Sequence, residues 1–149
     1  MEQLTMAPIH TDIVVKDLEA SLKFYTEVLN YTVVENATVK GPVVSFLSGS
    51  TATEMRLVFL SRNKRSTMLE LIYFEGSSND SFASSQVKKR NMSLSYLVED
   101  MERAITFFKE KGILPVSEVF QISLPTLGET QIIFFQDPDG YLIELVAPI

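Results

Sequence analysis

The sequence contains no cysteine and only one histidine, His10. Without thiols the chain can form neither disulfide bonds nor thiolate metal sites. The lack of cysteine is weakly typical of cytosolic proteins, although secreted proteins without cysteine also exist. With one histidine, a single chain cannot supply two imidazole ligands to the same ion.

Basic residues and long apolar runs are also scarce. The 13 lysines and arginines face 19 acidic residues, which gives a net charge of −6 and disfavours nucleic acid and anionic membranes as partners. No apolar run approaches ~20 residues, and no basic segment followed by an apolar one opens the chain, so the sequence predicts neither a membrane span nor a signal peptide. We expect a soluble, cytoplasmic protein that binds small molecules.

The main positive feature is an internal duplication. Residues 96–112 repeat residues 13–29 at an offset of 83 positions, and such repeats decide how a chain folds. In each copy a short apolar run with strand character leads to an aspartate, Asp17 or Asp100, whose side chain can cap a helix start. Gly112 suits the left-handed turn that ends a helix. Four aromatic residues at helical spacing are predicted to be core: Phe24, Tyr25, Phe107 and Phe108.

Further strands are predicted in both copies. In the first half they cover residues 31–35, 54–60 and 67–74, while residues 41–49 fit either a short strand or a helical turn. In the second half they cover about 114–121, 130–136 and 141–146, with a tight turn at residues 137–140, which read Asp-Pro-Asp-Gly.

These elements predict one α+β domain over residues 1–149, built from two βαβββ modules. Module 1 covers about 8–75, a Ser-rich linker about 76–91, and module 2 about 92–149. We expect the modules to pair about a pseudo-two-fold axis and form a cup-like mixed sheet around a cavity. Exposed strand edges and apolar rims favour a homodimer.

The duplication also predicts a site. The offset pairs His10 with Ser93, and the related segments MLEL and LIEL pair Glu70 with Glu144. All four lie on strand faces directed away from the helices, so we expect them to meet in the cavity. One histidine and two glutamates suit a divalent metal. Arg56 could face the same cavity and bind an anionic substrate.

Each of these residues has an ordinary alternative role. His10 could be a hydrogen-bonded strand histidine, and the glutamates could face solvent. Ser93 could simply line the pocket with a small side chain, and Arg56 could pair with Glu54 or be exposed.

The chain resembles the vicinal oxygen chelate superfamily, also called the glyoxalase, bleomycin resistance and dioxygenase superfamily. The resemblance rests on His10 seven positions before Asp17, on the segment DLEASLKFYTEVL, on MLEL, and on the ending FFQDPDGYLIEL. It implies a metal site with ligands His10, Glu70 and Glu144, whereas the usual third ligand, a histidine, is replaced by Ser93. Extradiol dioxygenase chemistry needs two histidines on iron and is therefore disfavoured.

The resemblance implies a glyoxalase-like or epimerase-like lyase or isomerase. In such a reaction a divalent ion (Zn, Ni, Mn, Fe or Mg) polarises a carbonyl, and Glu70 or Glu144 carries a proton. The strand faces and the repeat make Arg56 and Ser93 the expected substrate contacts. The alternative is a metal-free drug-binding or metabolite-binding protein with the same fold, because Ser93 leaves the ligand set incomplete.

Overall fold

The computed structural model describes residues 10–41, 44, 47, 48, 52–63, 66–76, 93–124 and 128–149, with only the backbone at 122–124. The chain divides into two compact units, Met1–Ala83 and Ser84–Ile149. The predicted linker lies almost entirely outside the described residues.

The first unit contains one four-stranded mixed sheet and one helical segment. Strand β1 (His10–Val14) leads to helix α1 (Leu18–Lys23), which continues as a π-helical turn (Phe24–Val28). Three strands follow: β2 (Thr32–Lys40), β3 (Glu54–Ser61) and β4 (Met68–Glu75). The strand order is β1-β4-β3-β2, in which β1 runs parallel to β4 and the other neighbours are antiparallel.

The second unit repeats this topology. Strand β5 (Ser93–Leu97) leads to helix α2 (Met101–Glu110), and strands β6 (Phe120–Leu124), β7 (Gly128–Gln136) and β8 (Leu142–Pro148) follow. The strand order is β5-β8-β7-β6, again with one parallel pair between the first and last strands. The predicted α+β class with two βαβββ modules is confirmed.

Both helices begin at the predicted aspartates. The backbone N–H of Ala20 donates to Asp17 Oδ1 at 3.0 Å, and that of Arg103 donates to Asp100 Oδ1 at 3.0 Å. Gly112 has a φ of 77° after the second helix, the left-handed conformation in which a glycine has no steric penalty. The predicted turn at 137–140 is also present, since Gly140 N–H donates to the carbonyl of Asp137 at 3.0 Å.

Each helix covers one face of its sheet, which we call the helix face, and we call the opposite one the distal face. In the second unit, the ring centroids of Phe108 and Phe135 lie 4.3 Å apart. Tyr25 is fully buried in the first unit, as is Val58 on the helix face. The prediction that Phe107 belongs to the core is wrong, because its side chain is 41% exposed.

A separate apolar cluster covers part of the distal face of the first sheet. It consists of Val44, Ala52, Met55, Ile72 and Phe74, with Val14, Val39 and Leu57 at its edge. In the ambiguous segment 41–49, Gly41 is a bend and residues 44, 47 and 48 are helical, which agrees with the helical-turn alternative. Both faces of this sheet therefore carry buried apolar residues.

Two strand boundaries differ from the predictions by five or more residues. Strand β2 extends to Lys40, five residues beyond the predicted end, and β6 begins only at Phe120. Residues 113–119 form no strand; in this segment Val116 N–H donates to the carbonyl of Phe134 at 2.8 Å. Pro115 lies there and has no N–H for a ladder hydrogen bond. Across the described residues, no helix is long and apolar enough to cross a membrane.

The neighbouring rings of α2 provide a matched pair for testing the core. We expect Phe108→Ala to lower the free energy of unfolding by about 3–5 kcal/mol, because it empties a buried ring site. Phe107→Ala should cost about 1 kcal/mol or less, because much of that ring is already in water. Urea unfolding measures both values. Equal losses in the two variants would contradict the assigned orientation of α2.

Candidate metal centre

The parallel pairing of β1 with β4 builds the candidate site on the distal face of the first sheet. Side chains alternate along a strand, so His10 and Asp12 point to the same side. In the sheet register Asp12 lies directly opposite Glu70, and Phe59 lies opposite Glu70 on its other side. The ring centroids of Phe59 and His10 lie 5.6 Å apart.

The imidazole of His10 contacts two carboxylates. His10 Nε2 lies 3.1 Å from Glu70 Oε2 and 3.2 Å from Asp12 Oδ1. The Glu70 residue is only 5% exposed, whereas Asp12 is about half-exposed and connects the group to solvent. The three residues thus form a polar group beside the apolar cluster of the same face.

Glu70 is the residue whose acidity this arrangement changes most. Burial, then a hydrogen bond with Asp12, then the negative charge of Asp12 raise the pKa of Glu70 from 4.5 to about 7. Each effect disfavours the ionised carboxylate. Near neutral pH, and without a cation, Glu70 therefore holds a proton on a large fraction of molecules.

The donor atoms fit a divalent metal ion. One ligand atom from each of His10, Asp12 and Glu70 can be chosen such that all three lie within 4.8 Å of one another. One imidazole nitrogen with carboxylate oxygens is a donor set that Zn, Mn, Ni and Fe accept. A cation there would also offset the repulsion between the two carboxylates.

Glu144 and Ser93 belong to the second unit. Glu144 lies on the distal face of that sheet, opposite Ser95 on one side and Phe134 on the other. The hydroxyl of Ser95 donates a hydrogen bond to Glu144 Oε2. Ser93 is exposed and lies opposite Leu142, so Ser95 rather than Ser93 is the neighbour of this carboxylate.

Arg56 lies on the other side of its sheet. It pairs in the register with Tyr73, on the helix face, whereas Glu70 is on the distal face. The expectation that Arg56 faces the same side as His10 is therefore wrong, since neighbouring strands present paired residues to one side. Arg56 instead lines a separate cavity of about 390 Å³, together with residues 16–19, Tyr73 and Glu75.

Sequence reasoning missed Asp12 and Ser95 as members of these groups. The signal was present, because the offset of 83 that pairs His10 with Ser93 also pairs Asp12 with Ser95. Asp12 lies opposite Glu70 in the first unit, and Ser95 lies opposite Glu144 in the second. Only the strand register, which the sequence does not contain, shows that pairing.

The chain matches the family model of the Glyoxalase/Bleomycin resistance protein/Dioxygenase superfamily over residues 7–145. The protein therefore belongs to this superfamily, which confirms the resemblance seen in the sequence.

Individual relatives are similar to different extents. Over 147 residues the chain is 31% identical to lactoylglutathione lyase of Schizosaccharomyces pombe, covering 93% of this chain and 46% of that protein. It therefore spans about half the length of that relative. The structure of the trypanothione-dependent glyoxalase I of Leishmania major is 27% identical with a TM-score of 0.64, covering 96% and 87% of the two chains.

A glyoxalase family protein of Bacillus cereus has a TM-score of 0.70 at 19% identity, covering 99% of this chain and 95% of that one. At this identity the likeness shows the fold alone.

The acidity of Glu70 predicts how stability depends on pH in the metal-free protein. A folded pKa near 7 against 4.5 in the unfolded chain means that the folded state binds more protons between these values. The contribution of Glu70 to the free energy of unfolding should then be largest below pH 4.5, and it should be lost as pH rises through 7. The total effect is at most on the order of 3 kcal/mol.

Urea unfolding of chelator-treated protein between pH 5 and 8 measures this dependence. Glu70→Gln should flatten the profile, whereas Glu27→Gln, at an exposed helical position, should follow the wild type. A slope that survives in Glu70→Gln would assign the pH dependence to other groups.

Proposed function

We propose that this protein is a metal-dependent lyase or isomerase of the glyoxalase type that acts on a small carbonyl compound. One observation carries the proposal: a buried glutamate lies beside the only histidine of the chain and a second carboxylate. Membership of the superfamily and the similarity to lactoylglutathione lyase support the choice of reaction.

His10 and Glu70 would hold the metal in the first unit, and we propose Glu144 as the carboxylate that the second unit contributes. The bound ion would supply a positive charge that polarises a carbonyl oxygen. Glu70 fits a ligand role, because its strand neighbours and its burial fix the carboxylate position. Phe59 excludes water from one side of His10, which strengthens electrostatic interactions within the group.

The chemistry needs a base that moves one proton. In an isomerisation of this type, a carboxylate removes the proton from the hydroxyl-bearing carbon next to a carbonyl and returns it to the former carbonyl carbon. The hydroxyl proton passes from the first oxygen to the former carbonyl oxygen, so no oxidant or reductant is consumed. We propose Glu144 for this step, since the Ser95 hydroxyl donates to one of its oxygens and orients the carboxylate. Glu70 is the second proposed proton carrier.

The relative's name suggests the substrate to test first. The relative is named for lactoylglutathione, a thioester. The proton transfers described above, run in reverse, would convert such a thioester into the adduct of glutathione with the dicarbonyl methylglyoxal, and we propose a thiol adduct of this kind as the substrate class. The arginine expected to bind an anionic substrate lies on the helix face, so Arg56 is not assigned to this substrate. Ser93 remains a proposed contact. The proposed working form is a cytoplasmic homodimer.

An assay of lactoylglutathione formation from methylglyoxal and glutathione tests the proposal. We expect activity that a chelator removes and that Zn, Ni, Mn or Mg restores. Glu144→Gln should lower kcat by about 10²–10⁴-fold, the usual effect of losing a general base, while Glu27→Gln should keep wild-type activity. Saturating metal should also raise the melting temperature of the wild type, because binding is linked to folding.

One result would favour the alternative function. If no metal changes the melting curve and no turnover is measured, the protein is better explained as a metal-free binding protein for small apolar or aromatic compounds. The serine at position 93, in place of the usual histidine, is the observation that favours this alternative.

A further inference from the structure

Asp12 occupies a position that the expected ligand set does not include. It lies two residues after His10 on β1 and directly opposite Glu70 on β4. Its Oδ1 atom is 3.2 Å from the same imidazole nitrogen that lies 3.1 Å from Glu70 Oε2. A single nitrogen therefore lies between two carboxylates that belong to paired strands.

Among the described residues, little positive charge compensates the negative charge of this group. Within the described part of the protein, neither Asp12 nor Glu70 pairs with a lysine or an arginine, and His10 is their only basic contact. Two carboxylates brought together on a partly buried sheet face repel each other and lose hydration. A bound cation would offset this repulsion with both carboxylates ionised, as a proton on Glu70 does without a metal.

We infer that Asp12 is a metal ligand, so that the first unit alone supplies three donors, one imidazole nitrogen and two carboxylate oxygens. The inference rests on the metal dependence proposed above and adds a residue to it. With Asp12 included, the first unit reaches three protein ligands by itself, so this count depends neither on a histidine at position 93 nor on Glu144. Water and substrate can take the remaining coordination positions.

The composition of this donor set also predicts metal preference. Carboxylate oxygens are hard donors. They suit Mn better than imidazole nitrogens or thiolates do. Mn is therefore the ion with which to measure affinity. Cobalt serves as a spectroscopic probe, since it accepts the same donors.

Calorimetric titration of the full chain with MnCl₂ is the first test. The wild type should bind one Mn ion per chain, and Asp12→Asn should bind it more than ~100-fold more weakly, because losing a mere outer-shell partner already costs about 10–100-fold. Glu27→Gln removes the same charge from an exposed helical site and should bind as the wild type does. Melting curves of the metal-free variants show whether each one is folded.

The absence of cysteine makes a second test specific for direct coordination. In Asp12→Cys loaded with Co, a thiolate-to-cobalt charge-transfer band should appear, and only residue 12 can produce it because the natural chain has no thiol. Glu27→Cys is the control and should give no such band. A residue that only orients His10 would weaken binding without producing this signature.

The outcomes separate the two proposals. Metal binding by the wild type with unchanged affinity in Asp12→Asn, or a folded Asp12→Cys protein that binds Co without the band, overturns Asp12 as a ligand and leaves the proposed function intact. No binding of Mn or Co by the wild type overturns the metal-dependent function, and the ligand role of Asp12 with it. If Asp12→Cys does not fold, the affinity of Asp12→Asn decides.

Discussion

The burial of the Glu70 carboxylate is the constraint on which the candidate site depends. An ionised carboxylate that is 5% exposed loses most of its hydration, and this loss is tolerated only if the group is neutral, hydrogen-bonded or paired with positive charge. Here the nearest groups are one imidazole and another carboxylate. Glu70 can therefore keep a proton or accept a cation, and the same geometry serves both states.

The parallel pair of first and last strands fixes this geometry in each unit. Asp12 faces Glu70 in one unit, and Ser95 faces Glu144 in the other. The duplicated backbone thus repeats the pairing while the side chains differ. Burial and a second carboxyl raise the pKa of Glu70, whereas the hydroxyl of Ser95 donates a hydrogen bond to Glu144. Divergence at one pair of equivalent positions has given the two glutamates different chemical surroundings.

Most of the fold could be predicted from the sequence, because its signals are local or repeated. Asp17 and Asp100 cap the helices by accepting from backbone N–H groups only three residues later in the sequence. The repeat itself indicates two equivalent modules. The misses depend on tertiary packing. Phe107 and Phe108 are adjacent in the sequence, and only the position of the sheet decides that Phe108 is buried. Alternation alone does not decide on which side of the sheet Arg56 lies, because a shift of the strand register by one residue moves every side chain to the other face.

On the distal face of the first sheet, one end is an apolar cluster that stabilises the fold and the other end carries the candidate site. Apolar residues around Met55 and Phe74 are buried toward one end, and the polar group with His10 lies toward the other, next to Phe59. Apolar neighbours exclude water and lower the local dielectric, which strengthens the interactions of His10 and Glu70 with each other and with any bound cation. They also increase the cost of leaving these groups unpaired. The packing that stabilises the sheet therefore also makes this group a favourable place for a divalent ion.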